Sequence, residues 1–73
     1  MNLQAYMANV HNALNRHRNW RYGQALFNVL FDMYPNSANK VRGTKADPFY
    51  AKSAKSPQVG EFMEFLFEAA KSG

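Results

Sequence analysis

Residues 21–34 read RYGQALFNVLFDMY, the longest unbroken helical pattern in the chain. Set at a helical repeat, Trp20, Tyr22, Gly23, Leu26, Phe27, Val29, Leu30, Met33 and Tyr34 cover about half of the wheel. Arg21, Gln24, Asn28 and Asp32 form a polar strip at spacings of three and four. A segment this apolar needs neighbours on several sides, so the pattern predicts a central helix over about 20–34. Asn19 is its candidate cap and Pro35 its stop. Phe31 falls beside Gln24 and Asn28, on the polar strip. Either a neighbouring segment covers it or it marks a contact surface. Gly23 weakens a helix, which points to close approach by another segment.

Upstream, Asn2 can cap a first helix over about 3–16, with Leu3, Tyr6, Met7, Val10, Ala13 and Leu14 as one apolar stripe. Five asparagines precede residue 20 and compete for backbone groups, so this helix should need packing or a partner. Downstream, residues 37–50 read as short turns. Ala38–Arg42 can make one or two helical turns, and Gly43 is a left-handed stop. Asp47-Pro48 should start a turn that sets Phe49 and Tyr50 against the core. AKSAKS, residues 51–56, reads as a mobile linker. Ser56-Pro57 then opens a last helix over about 57–71. Val59, Phe62, Met63, Leu66, Ala69 and Ala70 face its core side, and Phe65 and Phe67 read as a widening of that face. Glu61, Glu64 and Glu68 form an acidic flank, and Lys71 suits the negative end of the helix dipole. The expectation is an all-α, small single domain of three to four helices with a loop-rich middle.

Seventy-three residues make one domain at most, burying only roughly 60% of the unfolded surface. Six Phe, four Tyr and one Trp must fill a core or show at a surface. The absence of cysteine excludes disulfides, thiolate catalysis and Cys-based zinc sites. No apolar run approaches the ~18 residues of a membrane span, and the start MNLQAYMANVHN lacks the pattern of a secretory signal. A cytoplasmic protein with no membrane contact is expected. Residues 1–56 carry eight basic against two acidic side chains, net +6, whereas residues 57–73 are net −2. A basic front suits nucleic acid or an acidic protein surface.

The chemistry of catalysis is missing. Asp32 and Asp47 are isolated, the glutamates read as a solvated face, and the serines as caps or linker residues. His11 and His17 stand six apart, off the spacing that puts two imidazoles on one helical face. There is no phosphate-cradling glycine loop. Neither enzyme activity nor a cofactor or metal is expected. The long helix is too apolar for a recognition helix, so specific reading of duplex DNA is not expected either. What stands out is RHRNWRYG, residues 16–23, where arginines alternate with aromatic and polar side chains. Guanidinium pairs with phosphate, rings stack on bases, and Arg and Trp also dominate protein interface hot spots.

The central block reads Arg21-Tyr22-Gly23-Gln24-Ala25-Leu26-Phe27-Asn28, then Pro35, Ala38, Arg42-Gly43-Thr44 and Asp47-Pro48-Phe49-Tyr50. This spacing of GQA, FN, RGT and DPFY resembles a group of short bacteriophage and prophage proteins over about residues 21–50. With its length and its MNLQAYM start, the whole chain is also similar to small phage transcription regulators that bind bacterial RNA polymerase, of the kind found in Xanthomonas phages. That resemblance implies a regulator of host takeover in the cytoplasm of the infected bacterium. It implies inhibition of initiation through interference with the sigma factor, and antitermination by read-through of terminators.

Charge and exposure, rather than the resemblance, select the candidate residues. For partner binding these are Arg16, Arg18, Trp20, Arg21 and Tyr22, with Tyr6 and Val10 as apolar support. For steering or nucleic-acid contact they are Lys40, Arg42, Lys45, Lys52 and Lys55. The expected partner is bacterial RNA polymerase, with nascent RNA as a second contact and a monomer as the working form. The alternative reading is a small basic protein that binds RNA or DNA directly.

Overall fold

The computed structural model describes residues 1–72. It contains four helices: α1 (Leu3–Arg16), α2 (Tyr22–Met33), α3 (Pro35–Val41) and α4 (Pro57–Ser72), with no strand among the described residues. The fold is all-α. α2 packs against α1 on one side and α3 on the other, and α4 closes the remaining side of the core. A radius of gyration of 11.1 Å matches a fully packed chain of this length, for which about 11 Å is expected.

Each boundary has a local cause. In α1, Asn2 Oδ1 accepts from the Ala5 N–H at 3.0 Å, and Tyr6, Val10 and Ala13 are buried along one stripe. α2 begins two residues later than its apolar pattern. Asn19 is not its cap. The chain at 17–20 folds into a turn, with the Trp20 N–H donating to the His17 carbonyl at 3.0 Å. Arg21 takes the cap position, and its N–H donates to Gln24 Oε1 at 3.3 Å. Pro35 does more than stop α2. Tyr34 leaves the helical conformation before it, at φ −139° and ψ 71°, ending one helix, and Pro35 then occupies the first turn of α3. The middle is therefore more helical than a set of short turns.

The core is built from Tyr6, Val10, Leu26, Leu30, Val41, Phe62 and Leu66, all close to fully buried. Tyr6 crosses between helices, its hydroxyl donating to the Leu26 carbonyl at 2.6 Å. Burial, and to a lesser degree the neighbouring Tyr22, pushes that phenol well above its usual range. The final helix differs from expectation on one flank. Phe65 is half-buried and Phe67 is 57% exposed, at the edge of an apolar depression lined by Leu3, Met7, Met63 and Leu66. Ser56 precedes α4, where its carbonyl accepts from the Val59 N–H at 2.9 Å and its Oγ accepts from the Ser53 N–H at 3.4 Å.

Candidate functional site

The loop from Arg42 to Ala51 folds back over the first turn of α2, and the reason is legible atom by atom. Gly43 adopts φ +75°, a left-handed conformation that glycine takes without strain. The Thr44 hydroxyl donates to the Val41 carbonyl at 2.7 Å and accepts from the Ala46 N–H at 3.2 Å. Both carboxylate oxygens of Asp47 are used inside the loop. One accepts from the Gly43 N–H at 2.8 Å, the other from the Phe49 N–H at 3.0 Å. Pro48 is buried, and the Gly23 N–H donates to the Ala51 carbonyl at 2.9 Å. Gly23 is the segment's point of closest approach: a Cβ there would lie 1.7 Å from the Pro48 carbonyl oxygen.

This return brings two arginines onto rings. Arg21 lies 5.1 Å from the Phe49 centroid and 5.3 Å from that of Tyr50, and its Nε donates to the Phe49 carbonyl at 3.4 Å. Arg42 lies 5.3 Å from both Phe27 and Phe31. Phe27 meets Phe49 edge-on at 6.0 Å, which joins the two cation–ring pairs into one ladder. Tyr50 is not packed against the core. It is 76% exposed, because its ring rests on the edge of Phe49 and under Arg21, outside the layer that Pro48 fills.

Beside the ladder the surface is grooved. An open depression of about 420 Å³ is lined by Trp20, Phe27, Asn28, Phe31, Asp32 and Arg42. A second, of about 260 Å³, shares Trp20, Asn28 and Asp32 and extends to Arg16 and His17. Trp20 forms their common wall, stacked on His17 with centroids 3.9 Å apart and planes 9° from parallel. Thus Arg42, distant in the chain, is brought to the same grooved surface as Arg16 and Trp20, with Arg21 on the adjoining ladder. Arg18 is exposed and Tyr22 half-buried. Lys40, Lys45, Lys52 and Lys55 are exposed on the surface, with Lys45 lying 3.9 Å from Glu61.

Tyr6 and Val10 must be removed from the partner-binding set. Both have no exposed surface, since the stripe that carries them is the face of α1 that packs on α2. The structure adds Phe31, Phe49 and Tyr50, which charge-based selection passed over. Phe31 carried a signal, its position on the polar strip of α2. It is 44% exposed, with the Arg42 guanidinium over its ring.

Among the described residues no cluster of three or more His, Asp or Glu side chains is placed to hold a metal ion, and no helix is long and apolar enough to cross a membrane. The site offers cations, ring faces and a groove, the elements of recognition. Compared with known protein families, characterised proteins and solved structures, the chain matches none, so the likeness to phage regulators rests on the motif spacing and the length of the chain.

Proposed function

We propose that this chain is a phage-encoded regulator that binds host RNA polymerase, inhibits initiation by interfering with the sigma factor and promotes terminator read-through. It works by occupying a surface. The observation that carries this reading is the ordered face on which Arg16, Trp20 and Arg42 line two adjoining grooves, with Arg21 on the ring ladder beside them. An interface core needs large rings and arginines held in place before docking, since ordering them on contact lowers affinity. Here Phe27 and Phe31 of α2 hold the Arg42 guanidinium, and Phe49 and Tyr50 of the returning loop hold that of Arg21. The net positive front suits the acidic surfaces of a polymerase and the region where RNA leaves it.

The test is transcription in vitro with purified protein and bacterial polymerase holoenzyme. Initiation from a sigma-dependent promoter should fall, and read-through at an intrinsic terminator should rise. Polymerase subunits should be retained by the immobilised protein at moderate salt. Arg16→Ala combined with Trp20→Ala should weaken that retention while leaving the far-UV spectrum helical. Transcription that is unchanged at saturating protein removes the proposal.

A further inference from the structure

Rings and guanidinium groups alternate along the face made by α2 and the returning loop. Arg42 sits over Phe31 and Phe27, Phe27 meets Phe49, Phe49 meets Tyr50 at 5.1 Å, and Arg21 covers that last pair. The two ends of the ladder, Phe31 and Tyr50, are its exposed rings, at 44% and 76%. The two ion pairs formed among the described residues are Lys45–Glu61 and Lys71–Glu68, so neither arginine is neutralised by a carboxylate. Asp47, the acid nearest in sequence to both loop ends, has its oxygens committed to backbone amides. Asp32 lines both grooves and shares one of them with Phe31 and Arg42, without forming an ion pair to either arginine.

Uncompensated positive charge interleaved with open ring faces restricts what can cover this surface. An apolar partner would bury the guanidinium charges without an anion. An acidic peptide would satisfy the charges, but its carboxylates gain nothing from lying on ring faces that are themselves negative. Duplex DNA offers phosphates and hides its base faces. A single strand offers both, a phosphate at each nucleotide and a base that stacks on any aromatic ring.

We propose that this face binds single-stranded RNA, with Phe31 and Tyr50 stacking on bases and Arg42 and Arg21 pairing with the phosphates between them. The choice of RNA as the strand rests on the polymerase reading above; the stacking site itself does not. Lys40 and Lys52, exposed on the same loop-bearing half of the chain, add attraction at longer range.

The experiment is fluorescence anisotropy of a labelled 12-nucleotide oligo(U) RNA titrated with the full chain, without polymerase, across a salt series. Tyr50→Ala and Phe31→Ala should each weaken binding roughly fivefold or more, the size of one lost base–ring stack, whereas Tyr50→Phe should retain it. Arg42→Gln should flatten the dependence of log affinity on log salt by about 0.7, one phosphate's contribution on a single strand. All three side chains are exposed, so thermal melts of the variants control for folding. Equal affinity for a duplex of the same length, or ring variants that bind as tightly as the parent, overturns the proposal. It is overturned too if the parent binds no RNA while Tyr50→Ala and Phe31→Ala weaken polymerase retention, since the face is then a protein-docking patch. Binding to RNA without retention of polymerase supports this inference and removes the preceding one.

Discussion

Gly23→Ala is the sharpest test of how the loop is held on α2. The added Cβ would lie 1.7 Å from the Pro48 carbonyl oxygen, 2.8 Å from its carbonyl carbon and 2.9 Å from Ala51 Cβ. These are backbone atoms and a methyl group, with no flexible side chain to swing aside. Ordinary contact lies near 3.5 Å, so the loop must retreat by roughly 2 Å. That retreat breaks the Gly23–Ala51 hydrogen bond, worth about 1 kcal/mol, and loosens the Arg21 cation–ring contact, worth about 0.5–1 kcal/mol. Residual crowding adds about 1–3 kcal/mol. Against this, alanine gains at most about 1 kcal/mol of helix propensity, and less in a first turn. The net loss is about 1.5–5 kcal/mol, from a total of about 4–11 kcal/mol for a chain of this length. Thermal unfolding followed by circular dichroism should show a midpoint about 10 °C or more lower. A midpoint equal to or above that of the parent would mean the loop does not rest on Gly23, and the ladder geometry built on that contact would go with it.

The same substitution at Gly60 should have the opposite sign. Its Cβ would meet nothing within 4 Å on the exposed face of α4, so Gly60→Ala should raise stability by about 0.5–1 kcal/mol in a urea titration. Asp47→Ala leaves the amides of Gly43 and Phe49 without their acceptor, and should cost about 1–2 kcal/mol by the same titration. Tyr6→Phe removes a buried hydroxyl bond to Leu26 and should cost about 1 kcal/mol at neutral pH. Because the folded-state pKa of Tyr6 is raised, its contribution is intact below the unfolded value near 10 and is lost as pH climbs beyond it, by about 1.4 kcal/mol per unit. Urea midpoints between pH 9 and 11.5 should therefore fall more steeply for the parent than for Tyr6→Phe, and parallel curves would contradict the buried phenol.

What could be read in the chain depended on how local its cause is. α1 and α4 follow from apolar spacing, which needs no knowledge of the rest of the fold. The start of α2 was misplaced because the apolar run continues through Trp20, while the ring of Trp20 is spent on His17 in a turn. α3 starts earlier than its sequence pattern because Pro35 serves two ends at once. Its fixed φ suits a first helical turn as well as a stop, and only the non-helical Tyr34 before it separates the two uses. Tyr6 and Val10 show the opposite error. Residues that look like apolar support for an interface are, on a short chain, the residues it can least spare from its core.

The ladder was out of reach for a different reason. Phe31 declared itself by sitting among polar positions, but its companion is Arg42, eleven residues on, delivered by a glycine turn and a carboxylate that ties the loop. Once that is known, the GQA, RGT and DPFY block separates into two kinds of residue. Gly23, Gly43, Asp47 and Pro48 make the loop close, and their chemistry is consumed inside the fold. Arg42 and Tyr50 are what the closed loop displays, both exposed, whereas Arg21 belongs to both kinds, since it caps α2 and its guanidinium holds Phe49. A substitution in the first set should lower stability and binding together. A substitution in the second should lower binding alone. That division can be measured with four variants and two assays. If Arg42→Gln unfolds the chain as readily as Asp47→Ala, the guanidinium is a structural strut and the display argument fails.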